Sequence, residues 1–455
     1  MKKILFTLIW LVGVMPGLTC VIPGLTGNLA AAQPASAGTP WTLQDCIQYA
    51  LDHNLSVQQS ALQVGQREID VNTARASRLP GVSAGASQNF SFGRGLTEDN
   101  TYTHANTAGT SFSIGAEVPL FNGLRTYNNI ALSELNLAAA TQDLEKARDD
   151  IRVAVAQAYV QILYNREILA VAQRQVEIDS LQVERLQARL SNGKAASSEV
   201  SAQKATLAQS RLTAVQASNN LQLATLELAQ LLELPSPEGF SVAVPAEGRF
   251  KALPASPVAV YEAAVGSKPS VRAEEIRLSY AERNIELARG GYLPTLSLSG
   301  GLGTNYYYTS GYAGRGFFDQ LSNNFSPYVG LSLNIPVFSR MQNRNQVKSA
   351  RLNYDAQQLQ VETVKKQLYK EIQQAWYNAK AAREKYESSL QAEEAAAESF
   401  ALVQARYENG KATITEFNES KNQYLKAGSD RVQACYEALY QAGLLDFYEG
   451  KPIEL

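Results

Sequence analysis

The sequence is short of the residues that site chemistry usually needs. Of 455 residues only two are histidine, His53 and His104, and only three are cysteine. The histidines stand far apart without ligand-like neighbours, which excludes a zinc site or a histidine-dependent nucleophile as an expectation. Cys20 falls in an N-terminal leader, and Thr19 before it is unlike the small residue expected ahead of a lipidated cysteine. Cys46 and Cys435 are too few for a disulfide framework and read as buried free thiols. Charge of one sign is missing as well: the net charge of −2 gives no reason to expect nucleic acid or a polybasic membrane surface. No carboxylate pair, metal cluster or nucleophile constellation stands out, so neither an enzyme nor a cofactor or metal site is expected. After the leader no apolar run is long enough for a membrane-spanning helix, so any spanning falls to strands.

The leader itself, 1–37, reads as a secretory signal. Lys2 and Lys3 precede an apolar core, and small-residue cleavage sites follow at Ala30-Ala31-Ala32 and Ala35-Ser36-Ala37. The mature chain is expected to be exported.

What the chain does have is a duplication. Ala188-Arg189-Leu190-Ser191-Asn192-Gly193-Lys194-Ala195 returns as Ala405-Arg406-Tyr407-Glu408-Asn409-Gly410-Lys411-Ala412, with six of eight positions identical at a spacing of 217. The same spacing carries Val118-Pro119-Leu120-Phe121 onto Ile335-Pro336-Val337-Phe338 and Ala158-Tyr159 onto Ala375-Trp376. Leu79-Pro80 matches Leu293-Pro294 at 214. Self-similarity of this kind sets the domain plan. The first unit spans 41–234 with a hairpin at 82–119, a linker covers 235–257, the second unit spans 258–446 with a hairpin at 294–337, and 447–455 is a tail.

Each unit switches period twice. A helix over 41–78 ends at Leu79-Pro80-Gly81. Then apolar residues alternate: Val82, Ala84 and Ala86, and after a polar loop Phe112, Ile114, Ala116 and Val118, against Ser83, Gly85, Ser87, Ser111, Ser113 and Gly115. The second unit repeats this with Leu296, Leu298 and Leu302, then Val329, Leu331, Leu333 and Ile335. Strands of about 10 residues suit a tilted spanning strand. The loop of the second hairpin holds Tyr306, Tyr307, Tyr308, Tyr312, Phe317 and Phe318. Such a cluster fits either an aromatic girdle at a membrane interface or the aromatic core of a soluble sandwich.

A Pro-x-Phe closes each hairpin, and Asn122 and Ser339 follow as expected N-caps. Next come stretches at 124–190 and 341–408 without proline or glycine. Val155, Ile162, Leu169, Val176, Val183 and Leu190 recur every seven residues, accompanied by Ala158, Ala172 and Leu186, which indicates coiled-coil packing. At ~1.5 Å per residue each helix is on the order of 100 Å long, too long for a compact globule. Asn192-Gly193 and Asn409-Gly410 stop them, and helices return to about 234 and 443. In the first unit the helices over 41–78 and 196–234 are together about as long as that over 124–190, so placed end to end they would match it.

Four strands cannot close a barrel, for which about eight is the minimum. Several chains would have to contribute strands to one barrel, with a hollow helical cylinder continuing from it. The order helix, Leu-Pro, strand pair, Pro-x-Phe, long helix, Asn-Gly turn and return helix, present twice over the whole mature chain, resembles the TolC-like outer-membrane efflux proteins. The resemblance implies an α+β membrane protein: a long antiparallel α-helical coiled-coil barrel, and four transmembrane β-strands per chain contributing to a trimeric 12-stranded β-barrel. It implies an outer-membrane conduit with a large periplasmic part, serving a tripartite efflux pump or type I secretion. The partners it implies are two further copies of the chain, a periplasmic adaptor, an inner-membrane pump or ABC transporter, and outer-membrane lipid. A soluble periplasmic coiled-coil scaffold would share the helices, but has no need of two alternating hairpins at equivalent positions.

The resemblance also suggests site residues. Gly193, Lys194, Gly410 and Lys411 are candidates for the periplasmic tip that docks the adaptor, or serve only as helix ends. Glu416 and Glu419, six and nine places after Gly410, match acidic residues lining the family's tunnel constriction. Tyr407 matches a gate tyrosine, and Ser198 and Glu199 match its partner position. The family's gate arginine falls on Ala412, so that contact is missing here. Thr413-x-x-Glu416 also fits a capping box, in which Glu416 bonds a backbone N–H.

Overall fold

The computed structural model describes residues 40–96, 100–104, 106–244, 253–254, 256–311 and 313–454. The signal reading of 1–37, Tyr312 of the aromatic cluster and part of the 235–257 linker lie outside the described residues.

Helices dominate. The first expected helix is two: α1 (Leu43–His53) and α2 (Leu55–Ala76). Asn54 breaks it, ending α1 with an extended backbone and capping α2 by accepting from the Ser56 N–H; its amide donates to the Leu231 carbonyl. A single residue thus serves as C-cap and N-cap. The hairpin strands follow as β1 (Gly81–Ser91) and β4 (Thr107–Asn122), with a small ribbon, β2 (Arg94–Leu96) and β3 (Tyr102–His104), in the polar loop between them. Then come α3 (Arg125–Ser191) and α4 (Ser197–Leu231). The second unit runs α5 (Pro257–Val265), α6 (Pro269–Arg289), β5 (Thr295–Thr309), α7 (Phe317–Asn323), β6 (Ser326–Asn334), α8 (Gln342–Glu408) and α9 (Ile414–Tyr448). Both long helices have 67 residues and both return helices 35.

Asn122 and Ser339 do bind the first turns, accepting from the Thr126 and Asn343 N–H groups, but the helices begin later than those positions imply. Between cap and helix lie two consecutive residues with positive φ, Gly123-Leu124 in the first unit and Arg340-Met341 in the second. Gly123 has no alternative: a Cβ there would meet the Gly290 carbonyl at 2.4 Å.

The helices form a wall. α2 and α4 both lie along α3, and α6 and α9 both lie along α8, so each pair of shorter helices spans one long one. α3 in turn touches both α6 and α9, with Arg277 of α6 reaching Asp143 and Lys421 of α9 reaching Asp179. Val155, Ala158, Ile162, Ala172, Val183 and Leu186 of the seven-residue pattern are buried; Leu190, at its end, is exposed. The largest core lies midway, where Trp41, Cys46, Tyr159, Leu163, Leu228 and Val242 meet. Here the linker contributes structure: Trp41 pairs with Val242 as a parallel bridge, and the Tyr159 hydroxyl donates to the Ala243 carbonyl at 2.6 Å. Burial pushes the Tyr159 phenol and the Cys46 thiol up to about 12. Cys46 is buried and Cys435 only half-buried; neither is in a disulfide. The tail is also built in, Ile453 entering the same core.

The strands form one antiparallel sheet in the order β1-β4-β5-β6. The inner strands are 16 and 15 residues long, beyond the expected 10, because β4 and β5 pair with each other from Thr107↔Thr309 to Asn122↔Thr295. Register sorts the side chains by row. Val82, Ala116, Gly300 and Val329 share one row; Ser83, Gly115, Gly301 and Tyr328 share the next. One face is therefore apolar and the other polar. The Tyr328 ring crosses the polar face over Gly301, where a Cβ would lie 2.9 Å from the ring. Val329, Leu331 and Leu333 on the apolar face are exposed, Val329 by 83%. In the aromatic loop, Tyr306 meets Phe317 edge-on at 4.9 Å. The unforeseen α7 continues the sheet where β6 stops: the Gln320 side chain accepts from the Tyr307 N–H and donates to the Tyr307 carbonyl, as a paired strand residue does.

Candidate functional site

The far ends of the helical wall are two turns built alike. Lys194 N–H donates to the Arg189 carbonyl and Gly193 N–H to Leu190; Lys411 and Gly410 repeat both bonds with Arg406 and Tyr407. This pairing of bonds is a Schellman motif, and it requires a left-handed residue. Gly193 and Gly410 supply it, with φ of +70° and +69°. Asn192 and Asn409 each turn a side-chain amide back to the carbonyl four residues earlier. Lys194 and Lys411 are exposed.

Beyond Gly410 the backbone is capped. Thr413 Oγ1 accepts from the Glu416 N–H at 3.2 Å, and the Glu416 carboxylate accepts from the Thr413 N–H at 2.7 Å. Both halves of the capping box are present. The Thr413 N–H, and after it the Thr413 hydroxyl and Arg406, hold the Glu416 carboxyl below the usual carboxylate range. Glu419, one turn on, is exposed, as is Glu416 itself. Ala196 stands where the first turn would need Thr413, and α4 begins without a side-chain cap.

Tyr407 is buried, in a cluster with Phe400 and Phe417 against which Ile178, Ala412, Ile414 and Tyr424 pack. Its ring lies 5.1 Å from that of Phe417. The partner differs from expectation: Gln182 Nε2 donates to the Tyr407 hydroxyl at 2.7 Å, while Ser198 and Glu199 are exposed on the first turn of α4. Gln182 stands on the long helix, where its amide reaches the seam between the units.

Gln182 belongs to a ridge. Asp179, Gln182 and Arg185 follow at i, i+3 and i+6 on α3, one face of the helix, and each holds a residue of the second unit. Arg185 pairs with Glu408 at 2.8 Å, both about half exposed at 49% and 44%. Asp179 pairs with Lys421 of α9, and both side chains are 0% exposed. The Asp179 carboxylate also accepts from Ser210 Oγ at 2.5 Å and Gln203 Nε2 at 3.2 Å, both on α4. Three helices thus meet on one carboxylate. An exposed pair such as Arg185–Glu408 contributes about 0–1 kcal/mol. Removing one partner of a buried pair costs about 3–5 kcal/mol, because the other charge is left bare. The expected site residues did not include Asp179, Gln182, Gln203, Ser210 or Lys421.

Chemically, the tip offers cations at the turns, carboxylates on α9 and a layered seam between two hairpins.

Comparison with known proteins agrees with the architecture. The family profile described as "Outer membrane efflux protein" matches residues 46–233 and 260–445. The chain is similar to the outer membrane efflux protein BepC of Brucella suis, at 24% identity over 79% of this chain and 74% of that one. It is similar to the outer membrane protein TolC of Escherichia coli, at 26% identity over 92% of this chain and 84% of that one. Among solved structures, that of VceC from Vibrio cholerae superposes with a TM-score of 0.75 at 19% identity, covering 90% of this chain and 97% of that one.

Proposed function

The chain belongs to the outer membrane efflux protein family, and from that premise we propose that it works as a homotrimer whose sheets close into one 12-stranded barrel. It is an outer-membrane efflux channel; the reading concerns how it is built and gated. The observation that carries it is the sheet, with four strands, one exposed apolar face and two unpaired edges, β1 and β6. Four strands are too few for closure. An unpaired apolar edge is also a liability in water. Three sheets joined β6 to β1 remove every edge and give the apolar face to lipid. The helical walls continue below as a periplasmic tunnel, about 100 Å long by helix rise. The units are then tandem repeats that each supply a hairpin to the barrel and a coiled coil to the tunnel. A soluble scaffold leaves that sheet without a purpose, and a conduit has no need of catalytic groups.

The tips complete the reading. Exposed Lys194 and Lys411 present cations to a periplasmic adaptor, which links the tunnel to an inner-membrane pump or ABC transporter. Glu416 and Glu419 of three chains set six carboxylates in one ring, which attracts cations. Capping and gating coexist at Glu416: the carboxylate oxygen bonded to Thr413 fixes where the charge sits. Tyr407 acts from behind, through Gln182. Ser198 and Glu199 face solvent beside the aperture.

Crosslinking in native membranes is expected to give a ladder ending at three chains, and a stable monomer in the soluble periplasmic fraction would overturn the proposal. In planar bilayers the channel is expected to be cation-selective and blocked by multivalent cations from the periplasmic side. Glu416→Ala with Glu419→Ala then relieves the block and raises conductance; an unchanged block places the constriction elsewhere.

A further inference from the structure

The three links on the α3 ridge are graded, and the gradient has a direction. Asp179–Lys421 is fully buried and lies farthest from the turns. Gln182–Tyr407 is neutral and buried. Arg185–Glu408 is half exposed and nearest the turns. The burial of the links, and with it their shielding from water, therefore falls toward Gly410.

Hydrogen bonding distinguishes the pair from the groups next to it on the tip side, although α9 also holds a buried unpartnered oxygen beyond the pair, Gln441 Oε1. Asp179 is satisfied by Lys421, Ser210 and Gln203. On the tip side of this pair, Gln182 Oε1, Asn418 Oδ1 and Ser420 Oγ are buried and find no hydrogen-bond partner among the described residues. A buried oxygen without a partner raises the free energy of the closed seam, and water reaching it on opening relieves that. Below the pair the aromatic cluster reaches α3 through the Gln182–Tyr407 hydrogen bond, and its apolar contact with α3 is at the level of the pair. Phe400, Tyr407, Phe417 and Tyr424 all belong to the second hairpin, and Ile178, the contribution of α3, is the neighbour of Asp179.

We propose that the Asp179–Lys421 pair is the fulcrum of tip opening: the second hairpin swings from the first only on the Gly410 side of it. The pair acts as a positioning element, setting how far up the seam a separation can run and so how wide the tip opens. The inference rests on the reading of the tips as the aperture.

Hydrogen exchange on the intact trimer tests the fulcrum, and bilayer conductance tests the aperture. Along α9, amide protection is expected to rise by at least about tenfold on passing from the residues before Lys421 to those after it, the signature of a local opening that stops there. Asp179→Asn, nearly isosteric, keeps an acceptor but leaves Lys421 without a counter-charge. It is expected to move the step toward Tyr448 and to raise conductance by about twofold or more. Lys421→Met does the same from the other side and stands in where Asp179→Asn fails to assemble. Arg185→Ala leaves the step in place. A smooth decline of protection from Leu445 to Ile414, or a step that ignores both charge variants, overturns the fulcrum. A step that moves while conductance stays fixed supports the fulcrum and overturns the aperture reading instead.

Discussion

At Gly193 and Gly410 the backbone takes the same path, yet different side chains stand behind the two turns. The second turn is backed by Phe400, Phe417 and Tyr424; their equivalents 217 residues earlier are Val183, Val200 and Leu207. Thr413 caps α9 where Ala196 leaves α4 uncapped. Lys421 is buried on α9, while Lys204, its equivalent on α4, is exposed. Duplication kept what sets length and chain reversal. It let the residues behind the turn diverge, so that the second tip is a preassembled aromatic body and the first a plain helical hairpin.

The largest effect expected from perturbing this pair of tips is on transport. Lys194→Glu with Lys411→Glu should abolish export while leaving trimers intact on a native gel. The two single variants show whether both tips dock or one alone, and unchanged export by the double variant reduces both lysines to helix-end residues.

Packing comes next. Phe417→Ala should destabilise the second tip by about 3–5 kcal/mol, as large aromatic truncations do. Val200→Ala should cost the first tip about 2 kcal/mol, for two methyl groups and their cavity. Local hydrogen exchange at the tips measures both, and equal losses would mean that the aromatic cluster adds nothing specific.

Exchanging caps is a smaller change. Thr413→Ala should weaken the start of α9 by about 1 kcal/mol, and Ala196→Thr should strengthen the start of α4 by a comparable amount, since Glu199 already stands three residues on. The read-out is exchange at the first-turn amides. A silent Ala196→Thr would show that the first turn cannot adopt the box.

The smallest effect is one of pH. The Glu416 carboxyl is held below its ordinary range by Thr413, so its contribution to the cap is complete above the usual glutamate value of about 4.3. It is lost as pH falls through the lowered value in the folded tip. Protection of the Thr413 amide, which the carboxylate holds, should fall on acidification in that window once the intrinsic pH dependence of exchange is divided out, beyond any change at the start of α4. Parallel behaviour of the two tips would remove the carboxylate from the account.

Much of this was legible in the sequence, because repetition and period do not depend on tertiary contacts. The spacing of 217 pointed to the turns and the two long helices that the structure contains. The alternation of Val82-Ser83-Ala84-Gly85 gave the faces of the sheet. Three features escaped. Asn54 sits within a continuous helical pattern, and only its two hydrogen bonds show that it ends one helix and starts another. The inner strands outran the estimate because mutual pairing, not alternation, sets their length. Asp179 and Lys421 lie 242 residues apart, and Ala396 occupies the position in the second unit equivalent to Asp179. The repeat thus gives no hint of the pair, which exists only because α9 folds onto α3.

The equal lengths of α3 and α8, 67 residues each, restrict how the gene can change. One inserted residue in α8 would rotate everything after it by about 100° and turn Tyr407 away from Gln182. Seven inserted residues nearly keep the phase, drifting ~20°, but lengthen the helix by about 10 Å. Such an insertion survives only if α3, α4 and α9 gain the same length, which takes four coordinated events at four places in the coding sequence. Substitutions carry no such condition, so variation among descendants of this chain should accumulate in side chains while indels gather in the loop between β1 and β4, the loop between β5 and β6, and the linker.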